Sequence, residues 1–278
     1  ATAELIEHAV ELAEDGRWGD VREALLERLP ADPDSPGLLA WLGIASRELG
    51  VDGEAYEFFR ASLAAGVDDP FLLANIGAGL ATFDDPEAER ALRLAALTAP
   101  TLSFARLSYG AYLVREGLIP EAMEELEAAR SLAPDDLTIR AELALALLIA
   151  DRKAEGLGEL EAALGTEPDD GWLRGILGMA LLEAGREEEG AEELHRAAAL
   201  RPEDVELQLL FALAAVSQGW EDEGWNALAR AEAAAEEVDA VLLREVEDAL
   251  GGGARPAQEL LRTEMLPPAL RERLLQRL

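Results

Sequence analysis

GWLRGILGMALLEAGREEEGAEELHRAAALRPED, residues 171–204, decides the fold, because the chain on either side repeats it. The stretch holds a small residue at Gly178, a glycine at Gly185, another small residue at Gly190, a large one at Leu194 and a proline at Pro202. The first small residue recurs at Ala9, Gly43, Gly77, Gly110, Ala144, Gly178 and Ala212, in steps of 34 with one step of 33. The second position recurs at Gly16, Gly50, Asp84, Gly117, Asp151, Gly185 and Gly219 with the same short step. The large position runs through Leu25, Phe59, Leu92, Leu126, Leu160, Leu194 and Leu228, and its short step places one missing residue between Asp84 and Ala88. Pro33, Pro100, Pro134, Pro168 and Pro202 close their units, while Val67 and Glu236 stand where the other prolines would be. Seven units are expected, at about 3–35, 36–69, 70–102, 103–136, 137–170, 171–204 and 205–237.

Each unit reads as helix, turn, helix. Leu137 to Ala150 lacks proline and glycine, Asp151 follows, and Ala154 to Leu164 then runs on towards Pro168. A glycine at the turn supplies the left-handed conformation that ends a helix, and Asp tolerates it at modest cost. Proline stops the second helix because it has no amide hydrogen and crowds the turn before it. The Asp residues after it, in Pro134-Asp135-Asp136 and Pro168-Asp169-Asp170, are suited to cap the next helix. Two antiparallel helices approach closely only where one side chain is nearly absent, so the small ladder should face the large one. Further small residues on the second helices, Ala55, Ala88, Ala122, Gly156, Gly190 and Gly224, are expected to let neighbouring units stack.

The pattern resembles the tetratricopeptide repeat over about residues 3 to 237. Its best local matches are Leu39-Ala40-Trp41-Leu42-Gly43 with Gly50, Ala55 and Phe59, and Leu177-Gly178 with Gly185, Leu194, Ala197 and Pro202. Departures are Glu236 for the last proline, Arg28 for a small residue in the first unit, and glycine for alanine in the last three second helices. The resemblance implies an all-α, right-handed superhelical solenoid with capping helices, whose first helices line a concave face that holds other polypeptides.

On that resemblance the inward positions are Trp41 and Ile44; Phe71 and Asn75; Phe104, Leu107 and Val114; Leu145 and Leu148; Trp172, Ile176 and Met179; Leu209 and Leu213. This surface is apolar, and a large exposed apolar strip generally marks a binding site. Two arrangements are open: a groove for an apolar helix or peptide, or side chains interior to a tightly wound superhelix. Some members of the family grip a terminal carboxylate with Lys, Arg and Asn at these positions. Here only Asn75, with Arg47 and Arg115 at the edge, is available, so that clamp is not expected.

Past residue 237, Val238, Val241, Leu242, Val246, Ala249 and Leu250 keep a helical stripe until Gly251-Gly252-Gly253 breaks it. Pro256 is expected to open a helix running to about Leu266, and Pro267-Pro268 to interrupt it before the amphipathic segment Ala269 to Leu278. From Arg255 onward 5 Arg face 3 Glu, a net +2, which leaves −35 for the rest. This tail is expected to cover part of the apolar groove, its own or a neighbour's, the latter making a homo-oligomer.

Chemistry is scarce. With 57 acidic residues against 24 basic ones, nucleic acid is not an expected partner, because displacing phosphate counterions needs clustered Lys and Arg. The acidic surface reads either as a selector of basic partners or as a solvated shell. No cysteine exists to serve as nucleophile or soft metal ligand, and the two histidines, His8 and His195, lack a supporting constellation. Carboxylate runs such as Glu187-Glu188-Glu189, and Glu121 with Glu124 and Glu125, fan around exposed helices instead of converging on one centre. No enzyme activity, cofactor or metal is expected. No apolar run reaches the roughly 20 residues of a membrane span. A chain beginning at Ala1 leaves room for a removed leader or anchor, so the compartment stays open, with the cytoplasm favoured.

Overall fold

The computed structural model describes residues 2–236 and 239–276. It is all helix, with no strand among the described residues, and it divides after Pro134 into two compact units.

The first unit contains α1 (Thr2–Glu14), α2 (Trp18–Arg28), α3 (Pro36–Glu48), α4 (Asp52–Ala64), α5 (Pro70–Ala81), α6 (Glu87–Thr98), α7 (Ser103–Arg115) and α8 (Ile119–Leu132). Each odd helix pairs with the even helix that follows it, and successive odd helices also pack on one another, α1 on α3, α3 on α5 and α5 on α7. The second unit contains α9 (Leu137–Ile149), α10 (Lys153–Thr166), α11 (Gly171–Glu183), α12 (Glu187–Leu200), α13 (Val205–Ser217) and α14 (Glu221–Ala234), each odd helix again paired with the even helix that follows it. It continues with α15 (Ala240–Gly251), α16 (Ala254–Leu260) and α17 (Leu266–Gln276).

The ladders explain the pairs. A Cβ on Gly43 would stand 2.5 Å from the Phe59 ring, one on Gly77 2.5 Å from Leu92, one on Gly110 2.7 Å from Leu126 and one on Gly178 2.9 Å from Leu194. Each large residue thus fills the space its small partner leaves, as the spacing requires. The turn residues sit at positive φ, from 71° at Gly16 to 82° at Gly219, and the two Asp substitutes follow at 52° (Asp84) and 59° (Asp151). This geometry closes the helix end: at Gly185 the next amide, that of Arg186, donates back to the Leu181 carbonyl at 2.9 Å. The expected caps are made too, the side chains of Asp136 and Asp170 accepting the amides of Ile139 and Leu173, and Asp69 and Asp204 do the same for Leu72 and Leu207.

One expectation is corrected. Gly156, Gly190 and Gly224 do not serve the stacking of neighbouring units; they lie inside their own pair. A Cβ on Gly190 would come within 2.7 Å of Leu182 and 2.9 Å of the Gly178 carbonyl oxygen, and Gly224 meets Val216 and the Ala212 carbonyl in the same way. The backbones cross so closely there that glycine's helix cost of about 0.5 to 1 kcal/mol is smaller than the strain of inserting a methyl group.

The missing residue of the third unit comes out of the first turn of α6. That helix starts one residue before Ala88, whereas α4 starts three before Ala55 and α8 three before Ala122. The shortened loop is tied down by Asp85, whose carboxylate accepts the Glu87 amide, the Tyr56 hydroxyl at 2.9 Å and the Arg60 guanidinium at 3.0 Å. Burial pushes this carboxyl up, but the three donors outweigh burial and hold it below its ordinary value.

A further ladder was not read from the sequence. Arg106, Arg140 and Arg174 stand 34 residues apart on α7, α9 and α11, and each donates to a glutamate 19 residues on: Glu125 at 2.7 Å, Glu159 at 3.0 Å and Glu193 at 2.5 Å. Arg106 and Arg174 also donate to the carbonyls of Pro100 and Pro168, so each clips the end of the preceding second helix to its own helix pair. Gln208 continues the ladder on α13, donating to the Ala198 carbonyl and accepting from Arg230.

The C-terminal segment also departs from expectation. Pro267 and Pro268 do not interrupt it: Ala254 to Gln276 is one continuous helical run containing a π-helical turn at Leu261–Met265. The wider turn, closed by the Leu266 amide on the Leu261 carbonyl, carries the helix past both prolines, which fall in the first turn of α17.

Candidate functional site

In the first unit the odd helices α3, α5 and α7 carry a chain of aromatic rings. Trp41 lies 6.1 Å from Phe71 between centroids, and Phe71 lies 5.3 Å from Phe104, both tilted. Phe71 is 39% exposed and Phe104 half-buried, while Trp41 shows only an edge. Of the other residues assigned here from sequence, Ile44, Asn75, Leu107 and Val114 are buried between helices, so the open strip is narrower than the sequence reading gives. The reason is the direct packing of α3, α5 and α7, which encloses those side chains. Asn75 is engaged internally: its side-chain oxygen accepts from Arg47 at 3.1 Å and its amide donates to the Phe71 carbonyl at 3.0 Å. Arg115 lies over the Tyr112 ring at 5.5 Å.

In the second unit the corresponding residues lie in one apolar cluster with the C-terminal segment. Leu145, Ile176, Met179, Leu209 and Leu213 are fully buried, and only Trp172 and Leu148 keep partial exposure. α17 packs on α11, while α15, α16 and the π-helical turn pack on α13. Ala257, Leu261, Met265, Leu266, Ala269 and Leu270 supply the buried face. The cover therefore begins at Ala257, earlier than the expected Ala269. The side chains of Arg271, Arg273, Leu274, Leu275, Arg277 and Leu278, which the sequence reading places on this face or its rim, lie outside the described residues. α13 is apolar nearly all round because it is enclosed, by α12, α14, α15 and α16, and its buried Gln208 is hydrogen-bonded on both sides of its amide.

Neither histidine sits in a constellation that could do chemistry. His8 is exposed beside Glu11, and His195 stacks on Phe211 at 4.8 Å. Among the described residues no three His, Cys, Asp or Glu side chains converge as a metal site would need, and no helix is long and apolar enough to cross a membrane.

No family model and no curated protein matches the sequence. Solved structures do. A chain of the APC/C hetero-tetramer Cut9–Hcn1 is similar with a TM-score of 0.70 at 17% identity, over 86% of this chain and 48% of that one. A tetratricopeptide repeat protein from Parabacteroides merdae is similar with a TM-score of 0.61 at 16% identity, over 90% of this chain and 98% of that one. PilW, a widely conserved type IV pilus biogenesis factor, is similar with a TM-score of 0.60 at 20% identity, over 71% and 92%. The chain has the tetratricopeptide-repeat fold.

Proposed function

We propose that this tetratricopeptide-repeat chain is a protein-interaction scaffold, built of seven repeats and a C-terminal cap, that holds an apolar helix or peptide against its first helices. The observation that carries the reading is the aromatic chain Trp41–Phe71–Phe104 on α3, α5 and α7, open at Phe71 and in part at Phe104, while Leu145, Ile176, Met179, Leu209 and Leu213, assigned to the same face in the second unit, are covered. Aromatic rings present large, stiff contact area at little entropic cost, which suits them to anchor a partner. Phe71 and Phe104 would be the anchors, with Trp41 beneath them.

A photo-crosslinking residue in place of Phe104, with Leu97 as control, tests this. Leu97 is 69% exposed on the neighbouring second helix α6 and so samples general stickiness. Adducts formed at position 104 and absent at 97, mapping to a short amphipathic segment of one protein, are expected. The same adducts at both positions would remove the proposal.

Self-assembly through the tail is the weaker reading. α16 and α17 already pack on α13 and α11 of the same chain, so that row needs no neighbour's tail to fill it.

A further inference from the structure

We propose that the helix of residues 254–276 is an exchangeable internal ligand, and that the face of α11 and α13 beneath it is a second binding site for a Leu/Met-striped helix flanked by arginines. This rests on the reading that the first helices of the fold hold helical partners, and it names the partner's chemistry.

The segment has the makeup of a ligand more than of a repeat. It lies outside the 34-residue register and presents Leu261, Met265, Leu266 and Leu270 to the unit, with Ala257 and Ala269 between them. Its charge is opposite to that of the unit it covers: from Arg255 onward the chain is +2, against −20 for residues 135–254. That complementarity is realised at Glu187, the first residue of α12, whose carboxylate accepts from both Gln258, at 3.0 Å, and Arg262. Glu187 is mostly covered while Arg262 is about half exposed, so water and a competing guanidinium can reach the pair from one side.

The segment is also built to leave. It joins α15 through Gly252 and Gly253; Gly253 is held at φ +87°, and the space around it is open. A glycine there lets the chain swing without steric penalty. Within the helix, the π-helical turn and the two prolines behind it remove regular hydrogen bonds, so its hold rests on its side chains. A partner helix offering the same stripe and an arginine at the Glu187 position would replace every one of those contacts, which makes exchange close to neutral in energy and sensitive to partner concentration.

The experiment uses the full chain and a fluorescent peptide copying residues 254–276. Arg262→Glu in the protein opposes two carboxylates at Glu187 and loosens the internal copy, while the site keeps its own residues and the peptide keeps its arginine. The peptide is expected to bind this variant at least tenfold more tightly than the unaltered chain. Because the chain has no cysteine, Glu187→Cys with Arg262→Cys joined by a short bis-maleimide locks the segment in place, and binding should then be lost. Amide exchange should show residues 254–276 opening at least tenfold faster in Arg262→Glu and at a lower free energy than α13, which stays protected when the segment opens. Equal peptide binding by all three proteins, or α13 opening together with the tail, makes the segment a permanent part of the unit and overturns the proposal. A dimeric Arg262→Glu chain at working concentration overturns it in favour of tail exchange between copies. Phe71→Asp should leave this peptide's affinity unaltered, so failure here is distinguishable from failure of the first-unit site.

Discussion

Phe71 and Met179 both belong to the row of residues that the repeat assigns to the working face of a first helix, yet Phe71 is 39% exposed and Met179 is sealed. Part of the difference is register: Phe71 stands six residues before Gly77, whereas Met179 follows Gly178 directly, the position that Ile44 fills, buried, in the first unit. The rest comes from what lies above the row. In the first unit the odd helices pack on one another and leave Phe71 and part of Phe104 at the surface; in the second, a helix from outside the register lies on α11 and α13. A repeat therefore fixes which side chains point to a face, and only the segments around it fix whether that face is free.

Removing residues 254 to 278 should break the difference and gives the largest expected effect. Four large apolar side chains and two alanines leave the second unit, each large one contributing on the order of 1.5 to 3 kcal/mol as an upper bound. Hydrophobic-dye binding should rise, and amide exchange should quicken by several kcal/mol in α11 and α13 while the first unit is unaltered. A truncated chain with the dye binding and exchange pattern of the full one would mean that the tail is not what seals the row.

Point changes sharpen the same contrast. Met179→Ala opens a cavity in a closed core and should cost about 2 to 5 kcal/mol. Phe71→Ala loses two ring contacts at a surface and should cost about 1 to 2 kcal/mol. Chemical denaturation followed by exchange in each unit gives both values, and equal costs would contradict the difference in burial.

The helix pairs were legible in the sequence because the contacts that make them are local and repeated: Gly43 against Phe59 and Gly178 against Leu194 recur often enough for spacing alone to expose them. The cover was legible in kind, since Leu207 to Val216 is apolar on nearly every side and needs enclosure. Its position was not. Pro267-Pro268 reads as a break in any local rule, and only a π-helical turn, set by packing on α13, carries the helix through. The narrowness of the open strip was equally hidden, because it depends on how closely α3, α5 and α7 approach. The Arg106, Arg140, Arg174 ladder keeps the period of 34, but a charged residue on a helix is ordinarily solvated, and only the approach of Glu125, Glu159 and Glu193 makes these three into clips.

That ladder gives the next effect in size. Arg174 and Glu193 are only 15% and 14% exposed, and Arg174 also holds the Pro168 carbonyl. Arg174→Ala leaves the Pro168 carbonyl without this donor and the mostly buried Glu193 carboxylate with Arg196 as its remaining guanidinium, which should cost about 1 to 3 kcal/mol. Arg106→Ala, in the first unit with side chains 22% and 23% exposed, should cost less. If exchange measurements give the reverse order, burial is not what sets the strength of these clips.

The smallest effect concerns the short loop of the first unit and depends on pH. Asp85 is tied to Tyr56, Arg60 and the Glu87 amide, and its folded-state carboxyl is held below its ordinary value even though burial alone would raise it. A carboxyl depressed on folding adds stability that is fully present above its unfolded pKa, near 3.9, and is lost as pH falls through the lower folded value. Acidification also relieves the repulsion of a chain carrying −33, which strengthens the fold and would mask the loss in a simple pH titration. Comparison with Asp85→Asn removes the mask, because general repulsion is nearly equal in both chains while the charged loop tie exists in only one. At neutral pH the variant should be less stable by about 1 kcal/mol, the worth of charge-assisted bonds replaced by neutral ones. The gap should narrow as pH falls below about 4, and exchange should place it in α4 and α6 of the first unit, with the second unit unaffected. A gap independent of pH would mean that Asp85 acts through its shape as a helix cap and that its charge contributes nothing.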